Sequence, residues 1–339
     1  MKYKEINALE RKLNYVKEFL YRSEKLNFML YRMKWNYFPI LNIVRPFPLH
    51  IDIEVTDACN LRCVMCVHGQ EKVLNAGFID KGFAKKCIKE ASGEGVYSIK
   101  FNWRGEAALY EGLSELIRYA KECGIREVQI NTNGLPFSKD NIEDIIESGL
   151  DRIIFSVDAN SENTYKKIRV GGDFKRLVEN IECFIETRNA FKRVKPFIRV
   201  QMVRMKENKN EVKGFIERWK GKADDIRVTD VTDRGQGGGM TVGDQTAVGR
   251  RRCPQPWLRM VINREGLVMP CCSDWFSKWV IGDAKKESLK DIWQSEKMFE
   301  LRRRILRGEM NDFEPCKSCF VKESYLWAKR RTKHVRRRT

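Results

Sequence analysis

The sequence predicts an α/β protein with a parallel sheet and helices packed outside it. From residue 51 onward, short runs rich in β-branched residues alternate with longer stretches of helical period. Three cysteines, Cys59, Cys63 and Cys66, stand directly behind the first such run, and parallel α/β folds place their sites at the C-terminal ends of strands. Near the other end of the chain the pattern changes to a β-hairpin, a helix and a second set of cysteines, which predicts a small additional unit over 253–320.

Taken in order, residues 4–31 read as a helix, with Ile6, Leu9, Leu13, Val16 and Leu20 on one face. The aromatic and basic run Asn27 to Phe38 reads as helix packed over the open side of the fold; a place at a membrane interface is the alternative. Pro39, Pro46 and Pro48 mark a linker, so 1–49 form a basic helical extension. Strands are expected near 51–55, 97–102, 127–131, 152–157, 197–203 and 226–231, and helices near 80–91, 111–123, 139–148, 174–190 and 207–220. These six units form the core over 50–232. Residues 233–252 are glycine-rich and aperiodic, a flexible connector without the Gly-Lys-Ser/Thr of a phosphate loop. Residues 321–339 form a basic tail, expected to be solvated.

Composition limits the function classes. A hydrophobic fraction of 42% suffices for a sizeable core, and eleven cysteines in 339 residues are too few for a disulfide scaffold. Neither a signal-peptide core nor an 18-residue apolar run occurs. A reducing cytoplasm is therefore expected, where clustered cysteines signal metal more often than disulfide. Residues 1–50 hold ten basic and four acidic side chains, and residues 321–339 eight and one, so the two ends supply +13 of the net +19. The body is thus not a strongly basic nucleic-acid binder, whereas the ends have the charge to meet an anionic membrane or another polyanion.

The triplet has the spacing Cys-x3-Cys-x2-Cys. A loop at a strand end can turn three thiolates to one point, and three thiolates hold three irons of a [4Fe–4S] cube, leaving the fourth open. A zinc site would usually present four ligands. The stretch Ile51 to Cys66 resembles the radical S-adenosylmethionine (SAM) superfamily. The resemblance implies a partial (β/α)6 barrel in which SAM chelates the open iron and is cleaved to a 5′-deoxyadenosyl radical that removes hydrogen from a substrate. It implies an electron donor such as flavodoxin or ferredoxin. Further elements match in order. Gly105 and Glu106 stand where the family has Gly-Gly-Glu-Pro, which holds the SAM amino group; Arg104 replaces the first Gly and Ala107 the Pro. Asn133 lies in an Asn-Gly turn after the third strand, common at this place in the family; Ser156 and Asp158 end the fourth, where polar groups often meet the SAM ribose or carboxylate; the fifth carries Arg199 and Gln201, one of which often points toward SAM. Each alone is also ordinary capping or turn chemistry.

Cys253, Cys271, Cys316 and Cys319 form the second set, with Cys272 the alternative to Cys271. Four thiolates suit a closed [4Fe–4S] cluster or a structural zinc. Residues 253–319 resemble the auxiliary-cluster extension of radical SAM proteins, SPASM when full and twitch when short, and their spacing resembles the 2-deoxy-scyllo-inosamine dehydrogenase type. That type implies oxidation of a hydroxyl-bearing carbon of a sugar, aminosugar or cyclitol, with an auxiliary [4Fe–4S] cluster as electron acceptor. A peptide maturase and a non-enzymatic zinc protein binding nucleic acid are the alternatives. The catalytic base is not identified; Asp230, Asp233 and Arg234 are its weak candidates. Cys87, Cys123 and Cys183 fall in expected helices and read as core residues.

Overall fold

The computed structural model describes residue 19 and residues 24–66, 76–230, 253–310, 312–314, 316, 317 and 319. A helix α1 (Lys25–Leu41) precedes strand β1 (His50–Ile53). Then α2 (Lys81–Gly93), β2 (Ser98–Lys100), α3 (Leu113–Glu122), β3 (Glu127–Thr132), α4 (Lys139–Glu147) and β4 (Arg152–Ser156) alternate. Two helices, α5 (Glu162–Ile168) and α6 (Phe174–Ala190), lead to β5 (Phe197–Arg204), and α7 (Val212–Trp219) leads to β6 (Asp225–Asp230). After a stretch outside the described residues come α8 (Gln255–Leu258), β7 (Arg259–Ile262), β8 (Leu267–Met269), β9 (Gly282–Asp283), α9 (Leu289–Trp293) and α10 (Glu296–Arg307).

The strands form one open sheet in the order β6-β5-β4-β3-β2-β1-β7-β8-β9. The six alternating units are parallel, as the sequence pattern predicts. Their outer faces are apolar because strands under helices must bury that face: Ile51, Ile53, Ile99, Ile130, Ile153, Val200 and Met202 are fully buried. The inner face is polar. Asp52 pairs with Lys100 at 2.9 Å and Arg259 at 3.2 Å, Arg152 with Glu127 at 3.3 Å, and Arg199 with Asp225.

Several elements depart from the sequence expectation. The hairpin of the C-terminal unit joins the core sheet: β7 pairs in parallel with β1, His50 beside Arg259 and Ile53 beside Ile262, so the β7–β8 hairpin prolongs it. The expected helix over 288–306 is two helices, because Ser295 caps a new start by accepting from the Met298 N–H. Helix α5 was not expected; Ser161 caps it in the same way through Thr164. The reading of 4–31 as a helix falls largely outside the described residues, and α1 runs past Phe38 to Leu41, through Pro39, which the sequence assigns to a linker. Burial decides this: Phe28, Tyr31, Trp35 and Pro39 recur on one face, with Tyr31 stacked on Tyr97 at 4.0 Å and Trp35 edge-on to His50. Helix α1 therefore covers the N-terminal strand ends, opposite the cysteine triplet. The readings of 233–252 as a connector and 321–339 as a tail lie outside the described residues.

Candidate functional site

The triplet loop leaves β1 under tight control. Thr56 donates through its hydroxyl to the Gly77 carbonyl at 2.6 Å and accepts from Ala58 N–H at 3.0 Å. Asp57 accepts from Gly77 N–H and forms an ion pair with the Arg264 guanidinium, each at 2.8 Å. Further along, the N–H groups of Arg62 and Val64 donate to the carbonyls of Val170 and Ile168. The end of α5 thereby forms one wall of the loop. Burial, with Glu106 and the neighbouring thiols Cys63 and Cys66, pushes the Cys59 thiol up to about 12.

The segment after β2 closes on this loop. Gly105 has no space for a Cβ, which would fall 2.3 Å from the Thr56 carbonyl oxygen and 2.6 Å from that of Ala58. Glu106 N–H donates to the Ala58 carbonyl at 2.8 Å. The buried Glu106 carboxylate accepts from Thr132 Oγ1 at 2.7 Å, Asn133 N–H at 2.6 Å and Ala108 N–H at 3.1 Å. Burial still raises its pKa. With three of about four acceptor positions filled, its main work is to orient the turn at Asn133. Asn133 in turn donates to Asn60 Oδ1, between Cys59 and Cys63, at 2.8 Å.

Asp158 is fully buried with a left-handed backbone, φ 61°. Its carboxylate is engaged by Val203 N–H at 2.6 Å and by the Arg169 guanidinium. The charged group brought to the cysteines is therefore Arg169, whose Nη1 donates to Cys63 Sγ at 3.4 Å. Burial opposes the Arg169 charge, but Asp158 and Cys63 outweigh it and raise its pKa. Ser156 and Gln201 are level in the β4–β5 register, and Gln201 is level with Arg227 on β6. Asn131 Oδ1 on β3 is buried without a hydrogen-bond partner among the described residues. Asp230 pairs with Arg204 and is exposed, while Asp233 and Arg234 lie outside the described residues.

The thiols of the second set are half-buried. Burial and the neighbouring Cys272, Cys253 and Cys319 raise the Cys271 pKa, and burial with Cys271 and Cys319 raises that of Cys316. Cys272 packs beside Trp103, Val261 and Met269. Its carbonyl accepts from Trp103 Nε1 at 3.0 Å, and Trp275 O accepts from Arg104 Nη1 at 3.3 Å. Arg104, where the family pattern has Gly, also makes a two-pronged pair with buried Glu54 at 2.8 and 2.9 Å. Cys87 and Cys183 lie within α2 and α6, and Cys123 caps α3.

Comparison with known proteins agrees with this geometry. Residues 53–217 match the radical SAM superfamily, and residues 253–320 match SPASM, an iron-sulfur cluster-binding domain. The chain is a radical SAM protein with a SPASM domain. GTP 3′,8-cyclase of Clostridium botulinum (strain Hall / ATCC 3502 / NCTC 13319 / Type A) is 29% identical over 192 residues, 56% of this chain and 58% of that protein. The probable GTP 3′,8-cyclase of Methanococcus maripaludis (strain C5 / ATCC BAA-1333) is 31% identical over 134 residues, 40% and 44% of the two chains. The chain thus spans about half the length of these curated relatives. Among solved structures, BtrN in complex with AdoMet and 2-DOIA aligns with TM-score 0.56 at 20% identity, over 82% of this chain and 94% of BtrN. Streptococcus suis SuiB bound to S-adenosylmethionine aligns with TM-score 0.64 at 16% identity, over 82% and 72%. Native anSMEcpe with bound AdoMet aligns with TM-score 0.58 at 16% identity, over 80% and 88%. These neighbours share the fold.

The radical SAM cofactors are therefore [4Fe–4S] with SAM, together with an auxiliary cluster in the SPASM domain. The donor sets fit them: three thiols on one loop, Cys63 buried and Cys59 and Cys66 half-buried, and four more in the C-terminal unit, soft ligands suited to iron–sulfur clusters. Among the described residues the side chains do not stand as a closed metal-ligand group. Sequence reasoning missed Arg169 and Asn60. Arg169 was preceded by a capping signal, Ser161 through Thr164, that would have announced α5. Nothing local announces the contact of Asn60 with Asn133.

Proposed function

We propose that this radical SAM enzyme oxidises a hydroxyl-bearing carbon of a sugar, aminosugar or cyclitol to the ketone. The observation that carries the reading is the bond from Trp103 Nε1 to the Cys272 carbonyl. It ties the segment beside the first cysteine loop to the residue next to Cys271, which supports a second cluster standing close to the site. In this reading Cys59, Cys63 and Cys66 hold the first cluster, and Cys253, Cys271, Cys316 and Cys319 the second. Gly105, Glu106, Asn133, Ser156, Asp158 and Gln201 bound the SAM site, with Asp158 acting through Arg169. A buried guanidinium beside Cys63 is a natural partner for a carboxylate. The bound cofactors supply hydrogen-atom abstraction from the carbinol carbon, to give 5′-deoxyadenosine, and an acceptor for the remaining electron. The hydroxyl proton leaves to a base or water.

The inner face of the sheet supports a polar substrate. Asn131 Oδ1 lacks a partner there, and Gln201 and Arg227 stand in register beyond it. A buried acceptor left unmade costs about 1–3 kcal/mol, which a hydroxyl or amine of the substrate would recover. The test is anaerobic turnover of iron-reconstituted protein with a panel of C-deuterated aminosugars and cyclitols. Deuterium is expected in 5′-deoxyadenosine, with one ketone per turnover. Turnover with GTP or with a peptide, and none with any polyol, overturns the reading.

A further inference from the structure

Helix α1 has two apolar faces, and the fold uses one. Phe28, Tyr31, Trp35 and Pro39 are buried against the N-terminal strand ends. On the opposite side Leu26, Met29, Leu30, Met33, Tyr37 and Leu41 are exposed, from 40% at Leu30 to 68% at Leu26. At 3.6 residues per turn these six fall within a stripe of roughly 120°. Ile43 and Val44, also exposed, continue it past the helix end. Scattered surface apolar residues are ordinary; a continuous stripe marks an interaction surface.

The charges around the stripe say what it meets. On the helical wheel Lys34 flanks one side, and Lys25 and Arg32 the other. Residues 25–49 contain no Asp or Glu. Glu24, the acid that precedes the helix, is paired with Arg126 at 2.9 Å. Burial and the nearby Arg45 lower the pKa of Lys34. A solvated surface helix would alternate charge signs, and a homodimer seam would place acids opposite these cations. An apolar stripe between rows of cations fits a lipid surface, with the side chains in the acyl boundary and the cations at anionic headgroups.

We propose that α1 seats the enzyme on an anionic membrane surface as a peripheral contact. Among the described residues no helix is long and apolar enough to cross a membrane. Since α1 covers the N-terminal strand ends, the loops bearing Cys59 and Glu106, at the C-terminal ends, face away from the lipid. The seat thus leaves the site open to a water-borne substrate. The basic residues of 1–23 and 321–339 add attraction of the same sign.

The test is flotation of the full, iron-loaded chain with vesicles of phosphatidylglycerol and phosphatidylcholine, and with phosphatidylcholine alone. Leu30→Gln with Met33→Gln is the variant, since both side chains are exposed; iron content and thermal midpoint verify that it folds. Flotation with the anionic vesicles only, about tenfold weaker in the variant and weakened by about 0.5 M salt, is the expected result. No flotation overturns the proposal. So does equal flotation of parent and variant, which assigns binding to the chain ends. A parent dimer that the variant dissolves overturns it too, by placing a second copy on this face.

Discussion

Gly105 shows how little freedom the site allows a single residue. Its missing Cβ is what lets the Glu106 segment lie on the backbone of Thr56 to Ala58, with 2.3 Å to the nearest carbonyl oxygen. Gly105→Ala must push two backbones apart immediately before Cys59. Overpacking of that kind costs about 1–3 kcal/mol. The variant is expected to unfold at lower temperature and to retain less iron in the first cluster while the second stays filled, read by thermal unfolding and by iron content. Arg169 and Asp158 form the other tight arrangement. Neither is sequence-adjacent to a cysteine, yet the left-handed turn at Asp158 aims its carboxylate at Arg169, and Arg169 reaches Cys63. Asp158 was legible as a polar strand end; its partner was not, because an arginine eleven residues downstream looks like any other in a basic chain.

Strand β1 carries two incompatible faces, and its inner one has a consequence for pH. Ile51 and Ile53 face the helices, while His50 and Asp52 face inward. His50 is buried, bonded to Ser98 Oγ at 2.6 Å and Asp52 at 3.3 Å, with Tyr31, Lys100 and Arg259 close by. Burial lowers its pKa below the ordinary 6.5, and the nearby Asp52 only partly offsets this. A group whose folded pKa is depressed stabilises the fold above its unfolded value, and that contribution is lost as pH falls through the folded value. Urea midpoints of the parent are therefore expected to drop as pH falls from about 7 to about 5. His50→Gln, which cannot titrate, is expected to remove part of that slope; an unchanged slope refutes the assignment. The helices tell a related story. Helix α6 was legible to the residue from its period, whereas α1 extends through a proline because Trp35 and Pro39 find an apolar seat that sequence alone does not reveal.

The whole molecule is one sheet serving two metal units. Pairing of β7 with β1 makes the C-terminal hairpin a continuation of the strand that feeds the first cysteine loop. Arg104 strengthens the seam from Glu54 to the Trp275 carbonyl. Anaerobic reconstitution is expected to give about eight irons per chain, and about four when Cys59, Cys63 and Cys66 are changed to Ala. About four in the parent and none in the variant would leave the C-terminal thiols to zinc and remove the electron acceptor from the proposed reaction. A Cys271→Ala variant should lose the second set of irons and Cys272→Ala should not, because Cys272 packs on Trp103, Val261 and Met269, whereas burial and the neighbouring Cys272, Cys253 and Cys319 raise the Cys271 thiol.

By itself the sequence determined the alternation of strands and helices, the triplet at the end of the first strand and the four-thiol set. Each of these is written in spacings of a few residues, where backbone geometry leaves few choices. Only the tertiary structure decided that β7 lies against β1, that Arg169 stands at Cys63, that Asn133 holds Asn60, and that, among the described residues, one face of α1 is exposed. These facts join residues between 73 and 209 positions apart, or depend on which of two equally apolar faces is buried. No local period encodes such choices; they follow from how the whole set of apolar faces is packed at once.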